Sequence, residues 1–428
     1  MSTLSYCLRS KCCCIMLKGD NMKNKQMILK LSEKYNSFYL YDGQIVQNSI
    51  DNLKNSFEDV QFLYSAKTNP HREIVKKVVE NGFGIDAASF GEVLLAQANG
   101  LGADKIYYST PGKTQQDIAG AVDKAVIIAD SFNEIKMIDE IAAEKGIKLQ
   151  IGVRINPDFT FDADKGASAK YGIDEEAFFA HKDWIKSLEN TEIIGIHVHS
   201  KSQELRGDVI AAYHRKMFAL CKKVEQQLDI KLKFVNLGSG IGIPFAAEDI
   251  PVDVAKLGAE TSQAIKQFKA EMGDIKVLIE TGRYVCGKSG IYATKVLDKK
   301  YSRGITFVIL SSTLNGFVRP SLAAMVEGYA QGIPAANEPF YTKPNAFGYT
   351  VIKKGDETAE TETVTLCGNL CTAADLVEKS ITLPKLEIGD IITMDNAGCY
   401  AAVMTPFQFS SHIPPREIFI KENGEIIE

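Results

Sequence analysis

Phe62-Leu63-Tyr64-Ser65-Ala66-Lys67 is a short apolar run that stops on a lysine. Successive apolar positions leave no solvent face, so the run predicts a strand buried on both sides. Runs of the same kind recur at 84–86, 105–109, 125–129, 149–155, 193–199, 233–237 and 276–280. Amphipathic stretches lie between them, at 71–80, 89–97, 133–144, 209–227 and 251–272. Strand–helix alternation with nearly continuous apolar strands means a parallel sheet covered on both faces. About eight such units predict a closed (β/α)8 TIM barrel.

The pattern changes near Gly290. Short alternating runs follow at 291–297, 305–310, 349–353, 363–367, 391–395 and 417–420, which predicts an all-β second domain. The stretch 318–345 is rich in Pro, Gly and Ala and reads as loops. Phe38-Tyr39-Leu40-Tyr41 is β-like and is a candidate to join the second domain's sheet. The expected organisation is a disordered leader over 1–21, a barrel over 45–290, and a β-domain from 22–44 with 291–428.

The 428 residues carry a net charge of -5, with no basic excess to neutralise phosphates, which argues against nucleic-acid binding. No run approaches the roughly 20 apolar residues of a membrane span. Cys12, Cys13 and Cys14 sit in the leader without metal-ligand spacing, and the remaining cysteines show no disulfide pattern. A reducing cytoplasm fits that usage.

Four motifs fall at the C-terminal ends of predicted strands, the face that carries the chemistry of barrels. They are Lys67, His197-Val198-His199-Ser200, Gly238-Ser239-Gly240-Ile241-Gly242 and Glu280-Thr281-Gly282-Arg283. Together they supply the parts needed to hold pyridoxal 5'-phosphate. Lys67 can form a Schiff base, its amine expected to be lowered by desolvation. His199 can stack on the ring, Gly238, Ser239 and Gly240 can admit the phosphate, and Glu280 can hold the pyridine nitrogen. Each residue also has a plainer role open to it. A strand-end lysine snorkels to water, a glycine loop is often only a turn, and Glu280 can simply pair with Arg283. A two-histidine metal site lacks an evident third ligand, so no metal is expected.

With these residues assembled, the chain resembles the fold-type III decarboxylases that act on diaminopimelate, ornithine and arginine, and is most similar to diaminopimelate-decarboxylase-like enzymes. The resemblance runs from about Phe38 to Ile420. The family's lysine motif matches Tyr64-Ser65-Ala66-Lys67-Thr68-Asn69, and its Asp-x-Ala-Ser matches Asp86-Ala87-Ala88-Ser89. Arg154 lies in Val153-Arg154-Ile155-Asn156-Pro157, and the His-x-Gly-Ser pattern aligns on His199-Ser200-Lys201-Ser202. Gly-Pro-x-Cys aligns on Gly368-Asn369-Leu370-Cys371, followed by Asp375, and Gly-Ala-Tyr on Gly398-Cys399-Tyr400.

The resemblance implies an alanine-racemase-like barrel, α-decarboxylation of an amino acid, and a role in amino-acid biosynthesis such as lysine synthesis. It implies Lys67, Asp86, Arg154, His199, Ser202, Gly238, Ser239, Gly240, Glu280, Arg283 and Tyr400 as cofactor contacts, and Cys371 as proton donor. It also implies a homodimer in which Cys371 enters the partner's site. Arg319, Thr372, Asp375 and Tyr400 are the implied substrate contacts.

The departures concern the substrate's tail. Family members that grip a cationic tail carry an acid after the motif cysteine, and here that position is Thr372. Arg319, in Val318-Arg319-Pro320-Ser321-Leu322-Ala323, matches the arginine that binds a distal carboxylate, but a tyrosine is replaced by Ala323. Lys201 replaces a glycine and is expected to add a cation. The expectation is therefore a diaminopimelate-decarboxylase-like enzyme, or else a decarboxylase of another basic, D-, acylated or carrier-bound amino acid. The resemblance also leaves room for a racemase on the same fold and for a non-catalytic regulatory relative. Racemases usually present arginine to the ring nitrogen, which Glu280 opposes.

Overall fold

A computed structural model of the chain describes residues 21–238, 240–329 and 346–428. The leader through residue 20, Ser239 and residues 330–345 lie outside the described residues. Asn21, assigned to the leader above, opens a helix over Asn21–Lys34.

Eight parallel strands close a barrel. They are β1 (Gln61–Ser65), β2 (Gly84–Ala87), β3 (Ile106–Tyr108), β4 (Val126–Ala129), β5 (Leu149–Asn156), β6 (Thr191–His197), β7 (Phe234–Asn236) and β8 (Lys276–Thr281). Each pairs with the next in sequence, and β8 returns to β1 through the register Leu278↔Gln61 to Thr281↔Tyr64. Every run read as a barrel strand in the sequence is one.

The lumen below the mouth is packed solid. Leu63, Tyr107, Ile128, Ile194, Phe234 and Leu278 form one buried cluster drawn from six strands. Phe234 fits because the strands beside it carry glycine. A Cβ on Gly195 would lie 2.3 Å from two Phe234 ring carbons, Cε1 and Cζ, and one on Gly152 would lie 2.8 Å from the same Cζ. The ring thus takes space that two side chains have vacated, which is how a barrel core reaches solid density. Chemistry is confined to the rim.

The outer helices begin on side-chain caps that satisfy their first N–H groups. Ser89 caps Phe90–Ala98, Ser131 caps Phe132–Lys145, Asp253 caps Val254–Met272, and Thr114 with Asp117 forms a capping box on Gln115–Ala121. Gly207–Leu228 and Val254–Met272 pack together, with His214 Nδ1 3.0 Å from Thr261 Oγ1 in their buried seam. Among the described residues no helix is long and apolar enough to cross a membrane.

The second sheet is built around Gly290–Ser302. This strand pairs antiparallel with Ser37–Asp42, Ile305–Leu310 and Ile391–Met394. Phe38-Tyr39-Leu40-Tyr41 therefore lies inside this sheet, with Arg416–Ile420 parallel on its other side. Two elements differ from the sequence reading. Leu376–Pro384 is a strand paired with Thr361–Cys367. Val318–Tyr329, read as loop, is a helix, so the C-terminal region is β-rich rather than all-β. Pro320 misled that reading: it stands at the third helical position, where the first-turn N–H groups need no intrahelical acceptor.

Candidate functional site

The C-terminal ends of the barrel strands bring one amine, two carboxylates and two imidazoles to the same mouth. Lys67 leaves β1 in a single 3₁₀ turn, Ala66–Thr68, which aims its side chain across the rim. Its Nζ lies 3.0 Å from Asp86 Oδ2 at the end of β2, while Ser109 Oγ, just past β3, donates to Asp86 Oδ1 at 2.5 Å. Asp86 is fully buried, yet the Lys67 side chain keeps 37% of its area open. Burial pushes the Lys67 amine down, but Asp86 and then Glu280 and Tyr400 outweigh it, so the net direction is up. The expected lowering of Lys67 is thereby corrected. Desolvation is present, and two nearby carboxylates overrule it.

Glu280 is buried on the far side. Its Oε1 lies 3.0 Å from His197 Nε2 and accepts from Asn236 Nδ2 at 2.9 Å, and its Oε2 lies 3.7 Å from His199 Nδ1. Burial pushes this carboxyl up, but His197, Lys67 and His199 overrule it, so Glu280 is held well below its ordinary value and ionised. His199 moves the other way. Burial pushes it down to about 4, with Glu280 opposing and Lys67 and Arg154 reinforcing, so its ring is neutral at pH 7. Arg154 Nη2 donates to His199 O at 3.1 Å, and its guanidinium stacks on Tyr171 at 4.5 Å.

The glycine loop follows β7. Gly238 has φ +67°, and a Cβ there would lie 2.3 Å from Val198 O, so the turn accepts glycine alone. Asn236 couples the loop to Glu280: its Oδ1 accepts Gly238 N at 2.9 Å while its amide serves the carboxylate. Asn236 and Ser109 are site residues that the sequence reading missed. The available signal was a polar side chain within or at the end of an otherwise apolar strand.

A second group converges on Tyr400. The Arg283 guanidinium lies 4.8 Å from its ring centre and that of Arg319 5.9 Å, and Arg319 Nε donates to Tyr400 O at 3.2 Å. Tyr400 has φ +49°, a strained value for a non-glycine residue, and its N–H donates to Thr68 O beside Lys67. Sheet and barrel thus meet at this tyrosine.

Other sequence candidates lie elsewhere. Ser202 sits in the segment after β6, half-buried. Cys371 is exposed, its Sγ 3.8 Å from Ser410 Oγ. Thr372 Oγ1 accepts Ala374 N at 3.2 Å in a tight turn. Asp375, expected as a substrate contact, has a buried carboxylate that accepts from Thr313 Oγ1, from Leu314 N at 3.0 Å and from Leu370 N at 2.9 Å, and so holds the cysteine loop. Lys201 is corrected. Its Nζ is taken by Glu204 at 2.8 Å and Asp162 at 3.0 Å, so it adds no uncompensated cation. Among the described residues no cluster of three or more His, Cys, Asp or Glu side chains could hold a metal ion.

Residues 43–287 match the family model described as the pyridoxal binding domain of pyridoxal-dependent decarboxylases. The chain is 30% identical over 406 residues to the L-glutamyl-[BtrI acyl-carrier protein] decarboxylase of Niallia circulans, covering 93% of this chain and 91% of the relative. It is 27% identical over 404 residues to the diaminopimelate decarboxylase of Aquifex aeolicus, covering 91% and 87%. The crystal structure of diaminopimelate decarboxylase from Helicobacter pylori complexed with L-lysine superposes with a TM-score of 0.78 at 26% identity, covering 93% and 94%.

Proposed function

The chain belongs to the pyridoxal-dependent decarboxylases, and from its site we infer that it removes the α-carboxylate of an amino acid whose side chain ends in an anionic or acylated group. The observation that carries the reading is the opposition of Lys67 with Asp86 to an ionised Glu280 across one barrel mouth.

The mouth fits pyridoxal phosphate. It offers an amine, a buried anion, a turn with no room for a Cβ, and two guanidiniums converging on one tyrosine. Lys67 would hold the cofactor covalently through Nζ, with Asp86 orienting that amine. Gly238, Gly240, Ser202, Arg283 and Tyr400 would hold the phosphate, and the neutral His199 ring would cover one face. When bound, the cofactor supplies a conjugated ring that takes up the electron pair left as carbon dioxide departs. Glu280, kept negative by its neighbours, favours a protonated ring nitrogen and hence a strong sink. Arginine at that position would weaken it, which sets this chain apart from a racemase. Lys67 is protonated at rest and must give up that proton before it can bond to carbon, and Asp86 is the base within reach.

Cys371 would return a proton to Cα. Its exposure in its own chain suits delivery into a neighbouring copy, and the stretch 403–413, which contains its neighbour Ser410, exposes Val403, Met404, Phe407, Phe409 and Ile413. We therefore read the protein as a dimer with shared sites, in which the barrel unit over 45–290 binds the cofactor and the β-unit formed by 22–44 and 291–428 supplies Cys371.

Thr372 offers no charge to a cationic tail, and Arg319 sits where an anion or carbonyl could be met. A glutamyl group carried on an acyl-carrier protein, as in the Niallia relative's name, meets both conditions. Diaminopimelate is the second reading, favoured by the retained Arg319. Carbon dioxide release by the cofactor-loaded protein separates them, on a panel of meso-diaminopimelate, lysine, ornithine, arginine, glutamate, glutamyl thioesters and acylated diamino acids. Release from thioesters or acylated substrates supports the first reading, and release from diaminopimelate alone supports the second. Silence throughout, with Cα proton exchange still visible, would overturn decarboxylation in favour of racemisation.

A further inference from the structure

The glycine loop is held in part by a segment from the neighbouring strand. Glu204 N donates to Gly240 O at 2.8 Å and Gly242 N donates to Glu204 O at 2.9 Å, making a single parallel bridge between Glu204 and Ile241. The Glu204 side chain is 5% exposed, and its carboxylate is fully engaged. Lys201 Nζ reaches it at 2.8 Å, Arg206 Nε at 2.8 Å and Arg206 Nη2 at 2.7 Å. The backbone N–H groups of Leu205 and Arg206 add bonds at 3.0 and 2.9 Å. Lys201 and Arg206 also reach Asp162, at 3.0 and 2.5 Å, on the segment after β5.

Two cations and two anions thus tie together three segments of the rim. One follows β5, one follows β6 and carries His199 and Ser202, and one is the glycine loop. An exposed ion pair would contribute little. Glu204 is different, because its charge is buried and its backbone is bonded to the loop itself. Removing that charge would leave Lys201 and Arg206 half-partnered beside the loop.

We propose that Glu204 is a positioning residue for cofactor binding: its buried carboxylate, gripped by Lys201 and Arg206, fixes the backbone that in turn fixes Gly240 and Gly242. The proposal rests on the reading that the glycine loop holds the phosphate.

The test uses the full chain stripped of cofactor and titrated with pyridoxal phosphate, binding being read by protein fluorescence. Hydrogen exchange of the 238–242 amides is measured in the same apoprotein. Glu204→Gln is expected to raise the cofactor's dissociation constant about tenfold and to speed exchange in 238–242. Lys299→Met, which breaks an ion pair in the distant sheet, should change neither. Asp162→Asn, at a half-exposed position, should give a smaller change of the same sign, and it serves as the test if Glu204→Gln does not fold. Wild-type affinity and wild-type exchange in these variants overturn the proposal. Gly238→Ala separates the two layers of the argument. If it weakens binding while Glu204→Gln does not, only the role of Glu204 falls. If it binds as wild type, the glycine-loop reading falls and this proposal with it.

Discussion

Gly195→Ala tests whether the packed lumen sets the position of the catalytic rim. Gly195 lies two residues before His197 on β6, and a methyl group there would meet three Phe234 ring carbons at 2.3, 2.3 and 2.4 Å. Carbon atoms rest at about 3.5–4.0 Å, so more than 1 Å of movement is required. The ring has little freedom to supply it. Phe234 is 3% exposed and packs edge-on to Tyr107, with centroids 5.3 Å apart. Overpacking of this kind costs about 1–3 kcal/mol, and the rigid site places it near about 3 kcal/mol, roughly 100-fold in the unfolding equilibrium. Phe234→Leu alone should also destabilise, by leaving a void. Combined, the two should cost clearly less than the sum of the single costs, with a coupling of about 2 kcal/mol. Urea denaturation of the four proteins, with carbon dioxide release measured in parallel, gives the cycle. Additive costs, or a Gly195→Ala protein with wild-type stability, would refute the claim that these strands are positioned through Phe234.

Three further outcomes are expected. Mixing Lys67→Ala with Cys371→Ala, each inactive alone, should restore up to about a quarter of wild-type activity if sites are shared between two copies; no recovery after subunit exchange argues against the dimer. Thr372→Glu should lower activity on an anionic tail by about tenfold through like-charge repulsion, read as kcat/KM, and unchanged kinetics would remove Thr372 from the tail's environment. Burial pushes the His214 imidazole down to about 3 from an ordinary 6.5. Between those values the unfolded chain takes up a proton that the folded chain refuses, so stability falls as pH drops below about 6.5, by up to about 1.4 kcal/mol per pH unit. His214→Gln should flatten that slope between pH 6 and 4, and equal slopes would assign the loss elsewhere.

The barrel was legible because a parallel strand covered by helices writes an unbroken apolar run, and each of the eight strands carries one. The position of each chemical group on the rim follows from the strand that ends beneath it. What could not be read is what those groups do to one another. Lys67 is flanked by carboxylates 19 and 213 positions away in sequence, and only the closed barrel reveals that they outweigh its burial. Lys201 was expected to add a cation to the site and Asp375 to contact substrate, because each stands in a motif expected to serve the site. Their charges are spent on partners that fold back from elsewhere, Asp162 and Glu204 for one, Thr313 and Leu314 for the other. The helix over Val318–Tyr329 was hidden by Pro320, because proline's meaning depends on how many residues into a helix it falls.

The strand Ser37–Asp42 carries a consequence for how the protein is made. It lies near the start of the chain, but its two partners begin at Gly290 and Arg416. On a ribosome adding about 5–20 residues per second, the first partner follows after roughly ten seconds to a minute. Through that interval Phe38-Tyr39-Leu40-Tyr41, buried on completion, is a hydrophobic strand with both edges unpaired. Such a strand is a template for mispairing with any other chain. The barrel strands meet partners made moments earlier, whereas this one must be shielded or kept waiting, so the yield of correctly assembled protein should depend more on chaperone supply than on the stability finally reached.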